Sequence, residues 1–143
     1  MTHPHPVACV GLVVWKDNEV LLIRRGRPPM EGAWSIPGGK IEFGENTQEA
    51  GLRELAEETG VEARIETLLG VYEAIAPDSH YVLIDFTAEW VSGDPEPGDD
   101  ASEAEFVPLD EALSRLSWDK TRTAVQDSFH ARAASIQPKS KGN

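Results

Sequence analysis

From Val7 to Trp15 the chain reads VACVGLVVW, and after the polar KDNE it resumes as VLLIRR. Two apolar, β-branched runs around the turn formers Asp17 and Asn18 predict a β-hairpin that turns at Lys16 to Glu19. The following GRPPMEGAWSIPGGK is too rich in Gly and Pro for regular structure. It reads as a loop with a short extended piece around Trp34 to Ile36. A helix then starts near Asn46 or Thr47: Asn46 can cap it, Glu49 three residues on fits a capping box, and Gly60 ends it. EARIETLLGVYEAIA and HYVLIDFTAEWV are β-rich and partly alternating, and predict two long strands joined by a turn at Pro77, Asp78 and Ser79. SGDPEPGDDASEAE, the most polar stretch, predicts a mobile surface loop. FVPL then reads as a short strand, DEALSRL as a short helix capped by Asp110, DKTRTAVQDSFHARAA as a terminal helix, and SIQPKSKGN as a frayed end. This order of elements predicts an α/β (α+β) fold in which a mixed sheet carries helices on both sides.

Length and composition narrow the picture. The 143 residues suit one domain spanning 1–143, frayed from about residue 136, and the 40% apolar and 27% charged content is that of a chain that can build a core. A formal charge of −12 repels a phosphate backbone, so nucleic acid is excluded as a partner, and any phosphorylated small ligand needs metal ions or a few placed arginines. The single cysteine, Cys9, sits in an apolar run and can form neither a disulfide nor a cysteine metal site within one chain. MTHPHP has no basic leader character, and Val7 to Trp15 is far short of a bilayer span. The expectation is a cytoplasmic protein with no membrane partner.

The chemistry concentrates between Pro37 and Val61, PGGKIEFGENTQEAGLRELAEETGV. At roughly 100° per residue, Glu54, Glu57 and Glu58 fall within a sector of about 100°, with Leu52, Leu55, Ala56 and Thr59 on the opposite side. Like charges three or four apart cost a few tenths of a kcal/mol each on an exposed helix, and more at a less exposed site unless a cation joins them. Such a run is either a solvated acidic face or a cation site. The surrounding spacing favours the second. Gly39, Glu45, Arg53, Glu54, Leu55, Glu57, Glu58, Gly60 and Val61 follow the pattern Gly, five residues, Glu, seven residues, Arg-Glu-apolar, one residue, Glu-Glu, one residue, Gly-apolar. In these positions the sequence resembles the Nudix hydrolases.

The resemblance implies a Nudix fold, a mixed sheet sandwiched between helices, and hydrolysis of a nucleoside diphosphate linked to another moiety with Mg2+, or Mn2+, as cofactor. It assigns the metal to the carbonyl of Gly38 and to Glu57 and Glu58, with Glu54 as a further ligand or as the base for the attacking water. It makes Glu45 an outer support, and Gly39 and Gly60 elements of the motif. Arg53 can hold a glutamate in place by a charge-assisted bond. Family members also bring a loop carboxylate to the metals, which draws attention to Glu105 and, beside it, Glu103. Arg24, Arg25 and Arg27 form the one dense basic cluster and are candidate phosphate clamps, Arg24 and Arg25 first. Trp34, Tyr72, Tyr81 and Trp118 are candidates for a base-stacking face, although aromatics beside strands also serve as core.

Pro77 stands sixteen positions past Val61, where a proline resembles a feature of the ADP-ribose pyrophosphatases. The expected reaction is therefore ADP-ribose to AMP and ribose 5-phosphate. The alternative is a nucleoside triphosphate pyrophosphohydrolase of the housecleaning kind, and a third reading is a non-catalytic nucleotide sensor. By analogy with similar proteins the chain can also form a homodimer, with the apolar N-terminal strands pairing across a two-fold axis.

Overall fold

The computed structural model describes residues 5–28 and 30–136. Most of the stretch expected to fray, from 137 onward, lies outside the described residues.

The first apolar run forms β1 (Val7–Lys16) and folds back as β2 (Glu19–Arg25). Asp17 takes a positive φ of 55° at the tip, a conformation Asp tolerates better than most residues. The Gly/Pro-rich loop contributes two short strands, β3 (Trp34–Ser35) and β4 (Gly38–Lys40), before α1 (Thr47–Thr59). Then come the long β5 (Glu62–Ala76) and β6 (Ser79–Ser92), β7 (Ala101–Pro108), α2 (Leu109–Arg115) and α3 (Asp119–Ile136).

These strands form one mixed seven-stranded sheet with the path β3-β2-β1-β6-β5, to which β4 adds on β1 and β7 on β2. The parallel contact runs between β1 and β6, from Val7 opposite Tyr81 to Trp15 opposite Glu89. Side chains alternate across a strand, and β1 uses the alternation to fill two cores. Val10, Leu12 and Val14, with Leu21 and Phe86, pack under α1 through Ala50 and Leu55. Val13 and Trp15, with Val20 and Leu22, pack under α2 and α3 through Ala112 and Val125. The sheet is thus covered on both faces. The Trp15 indole N–H donates to Ser128 at 2.8 Å, and Thr87 shares that buried hydroxyl, which ties α3 to the sheet.

Three expectations change. The strand expected at FVPL begins five residues earlier, at Ala101, because the whole edge of β2 from Glu19 to Arg25 is available to pair with it. Backbone pairing, which an apolar pattern cannot report, sets that boundary. Asp110 does not cap α2: Pro108 holds the cap position without a side-chain bond, and the Asp110 carboxylate accepts the Glu111 N–H from inside the first turn. On α1 the buried arc is Ala50, Gly51, Leu55, Glu58 and Thr59, while Leu52 and Ala56 are exposed. One glutamate therefore sits on the face that packs. Within the sheet, β6 occupies one side of β1, and β2 and β4 share the other.

Candidate active site

The site is built on the start of β4 and the exposed flank of α1. Asn46 starts the helix, its Oδ1 accepting the Glu49 N–H at 2.8 Å while the Glu49 carboxylate accepts the Asn46 N–H at 2.9 Å. Gly60 closes it in the left-handed region at φ 72°, its N–H donating to the Ala56 carbonyl. Both ends are fixed by local chemistry, so the glutamates between them keep one orientation.

Two glycines bring β4 against that helix. A Cβ at Gly38 would strike the backbone of Val10 and Gly11, and one at Gly39 would collide with the Glu54 carboxylate. Only glycine lets the strand pass between β1 and the glutamates. Glu58 is 7% exposed, and its Oε1 accepts the Gly38 N–H at 3.0 Å. Burial pushes its carboxyl up to about 8, against the pull of that hydrogen bond, and the neighbouring Glu54 and Asp99 push the same way. Burial raises Glu54 as well, opposed by Arg53.

Arg53 organises the rest. Its Nε and one terminal nitrogen donate to the two oxygens of Glu45 at 2.6 and 3.0 Å. Its other terminal nitrogen donates to Glu54 and Glu57 at 3.2 Å each, and a further bond reaches the Lys40 carbonyl at 3.0 Å. A guanidinium fork can bind this many acceptors where an ammonium cannot. Glu45 serves through this arginine, whose hydrogen bond holds its carboxyl below the ordinary range.

A residue that sequence reasoning passed over completes the group: carboxylate oxygens of Glu54, Glu57 and Asp99 lie within 4.8 Å of one another. Asp99 comes from the acidic loop expected to be mobile. That loop is fastened to the end of α1, where the Glu96 N–H donates to the Thr59 carbonyl and the Gly98 N–H to the Glu58 carbonyl. Gly98 permits the approach, since a Cβ there would stand 2.6 Å from the Glu57 carbonyl oxygen. Three carboxylates this close, bordered by a buried fourth, form an oxygen-rich donor set suited to a hard divalent cation such as Mg2+. Burial, with a smaller push from neighbouring carboxylates, disfavours the charged forms of Glu54 and Glu58, a cost that a bound cation would offset.

Other candidates fall in different places. Glu105 and Glu103 stand apart from this group: Glu105 accepts from Arg115 at 2.5 Å and Glu103 from Arg24 at 2.9 Å. Arg27 pairs with Asp100 at the surface. Of the three clustered arginines only Arg25 lines the two cavities beside the glutamates. Pro77 is exposed in the turn between β5 and β6 and lines neither.

The larger cavity, about 650 Å3, is bounded by Glu54, Glu58 and Asp99 on one side and by Trp34, Tyr81 and Trp118 on others. The smaller, about 160 Å3, adjoins it at Gly38, Glu58 and Trp118 and extends to Tyr72 and Asp85. An acidic platform thus opens beside an aromatic-lined recess, a division that suits a ligand with a phosphorylated end and a flat end.

Comparison with known proteins bears on what such a cleft does. A family model described as the NUDIX domain matches residues 5–128. The chain is 41% identical over 117 residues to an ADP-ribose pyrophosphatase of Methanocaldococcus jannaschii, covering 80% of this chain and 69% of that protein. It is 29% identical over 135 residues to an 8-oxo-(d)GTP phosphatase of Mycolicibacterium smegmatis, covering 85% of this chain but only 41% of that longer protein. Among solved structures, a MutT NUDIX hydrolase from Burkholderia pseudomallei superposes with a TM-score of 0.74 at 31% identity, covering 86% of this chain and 98% of that one.

Proposed function

The chain belongs to the NUDIX family and is a pyrophosphatase acting on acid anhydrides; from that premise we propose that its substrate is ADP-ribose, cleaved to AMP and ribose 5-phosphate. The observation that carries the choice of substrate is the 41% identity to an ADP-ribose pyrophosphatase over most of the chain. The adjoining cavities, which set carboxylates beside the aromatic faces of Trp34, Tyr72, Tyr81 and Trp118, support it.

In this reading Mg2+ is held by Glu54, Glu57, Glu58 and Asp99 with the Gly38 carbonyl. When bound there, divalent cations lower the pKa of a water and neutralise charge on the phosphoryl oxygens. The chain's own residues do the remaining work. Glu54, half-buried and bonded to Arg53, takes the proton of the attacking water. Arg53 keeps Glu54 and Glu57 in register, and Glu45 in turn orients Arg53. Arg25, at the seam of the two cavities, meets the diphosphate. The recess lined by Tyr72 and Trp118 takes the nucleoside end.

The alternative, a nucleoside triphosphate pyrophosphohydrolase, is favoured by similarity at lower identity to 8-oxo-dGTP diphosphatases of Proteus vulgaris and Escherichia coli. Phosphorus NMR decides between them. With Mg2+ and ADP-ribose the expected products are AMP and ribose 5-phosphate. Inertness toward ADP-ribose, with pyrophosphate released from dGTP or its 8-oxo form, would transfer the protein to the alternative. Binding without turnover of either would favour a sensor.

A further inference from the structure

The smaller cavity ends on a group that the hydrolytic machinery does not use. Asp85, on β6, is only 6% exposed, and no salt bridge among the described residues reaches it. Its place is prepared by Gly11, the residue opposite it on β1: a Cβ there would lie 2.6 Å from Asp85 Oδ1 and 3.0 Å from Ile36 Cδ1. The cavity, about 160 Å3, compares with the roughly 150 Å3 that accommodates one benzene ring. It therefore admits one planar aromatic group, the rest of the ligand extending into the larger cavity. Trp118 lines both cavities and is partly exposed, an open stacking surface at the join. Tyr72 forms another wall, but its hydroxyl is already committed to Asp127 at 2.9 Å. Ser35, Thr121 and Lys120 also border the space, and of the two buried carboxylates in its lining, Glu58 belongs to the acidic platform, which leaves Asp85 for the base.

We propose that Asp85 is the base-reading residue of this enzyme, pairing with the ring nitrogen N1 and the exocyclic amine of an adenine stacked along Trp118. This rests on the nucleotide-hydrolase reading above. The pairing follows from the carboxyl's chemistry. In its acid form it donates one hydrogen bond and accepts another, which matches the adenine edge; as a carboxylate it only accepts, which matches the two donors of a guanine edge. Burial without a counter-cation disfavours the charged form. It already pushes Asp85 up to about 6, against the Gly11 N–H, so the acid form prevails below that pH, where the pairing with adenine is strongest.

The test reads binding of AMP, GMP and ribose 5-phosphate by calorimetry with Mg2+ present, at about pH 5.5, below the value that burial gives Asp85. No anhydride is cleaved, and the result is independent of ADP-ribose turnover. AMP is expected to bind about tenfold or more tightly than GMP. Asp85→Asn offers the same donor and acceptor in the same shape and keeps AMP affinity within about threefold, whereas Asp85→Ala loses about tenfold on AMP and nothing on ribose 5-phosphate. Trp118→Ala, on the rim, weakens both nucleotides and spares ribose 5-phosphate, and remains informative should the alanine at position 85 unfold the sheet. A preference for GMP that Asp85→Asn abolishes would overturn the adenine assignment. AMP affinity unchanged in a folded Asp85→Ala protein would overturn the role of Asp85 altogether.

Discussion

Replacing Glu58 by Gln should make the metal-free protein more stable while destroying its activity. The side chain is 7% exposed and its carboxyl is held near 8, where the ordinary value is 4.5. Because the folded state binds this proton more tightly than the unfolded chain does, the group costs nothing below pH 4.5. Its penalty grows as pH rises toward 8, where ionisation is forced in the folded state. At about 1.4 kcal/mol per pH decade, the full penalty is on the order of 5 kcal/mol, an upper bound. Gln keeps the shape and an oxygen to accept the Gly38 N–H, so it removes the charge without removing the bond. The assay is urea denaturation in excess chelator from pH 4.5 to 8.5. The parent should lose stability across that window, Glu54 and Asp85 adding in the same direction because burial raises them too. The variant should lose about 2–4 kcal/mol less. Added Mg2+ should recover stability in the parent by binding only the folded state. Equal pH slopes for parent and variant in chelator would refute the reasoning, because the buried charge would then carry no cost.

Three further substitutions probe the framework around it. Gly39→Ala drives a methyl into the Glu54 carboxylate, and since a displacement of about 1 Å can cost roughly 100-fold, kcat should fall to that extent with the far-UV spectrum unchanged. Arg53→Lys keeps the charge but cannot reach Glu45, Glu54, Glu57 and the Lys40 carbonyl together; kcat should drop about 10–100-fold, and an unaltered rate would reduce the network to a surface pairing. Asn46→Ala removes the cap of α1; it should lower stability by about 1 kcal/mol and Tm by a few degrees, with kcat close to that of the parent.

The parts of the site that sequence makes legible are those whose geometry is local. The carboxylates of α1, the cap at Asn46, the glycine stop at Gly60 and the Gly38-Gly39 pair are set by spacing along one helix and its lead-in, and each stands where that spacing puts it. The burial of Glu58 is different in kind. A helical wheel groups it with Glu54 and Glu57, and only the approach of β4 decides that it is the one enclosed. Asp99 is further from reach. It lies in a polar, Pro- and Gly-rich stretch that composition reads as solvated, and it arrives at the glutamates through backbone bonds to Thr59 and Glu58 carbonyls, which involve no distinctive side chain. The arginines illustrate a signal that was present but unused. Neighbours on a strand point to opposite faces, so Arg24 and Arg25 could not share a role; Arg24 turns to Glu103 while Arg25 lines the cleft.

The central claim is that the carboxylates of Glu54, Glu57 and Asp99 form, with Glu58, a cation platform on which the anhydride is cleaved. Calorimetric titration of Mg2+ into chelator-stripped parent, Glu57→Gln and Asp99→Asn proteins tests it most directly. The account predicts saturable binding to the parent that weakens about tenfold or more in each variant, with turnover falling in parallel. Binding of equal strength in all three proteins would contradict it, and would place the metal, and the reaction, elsewhere.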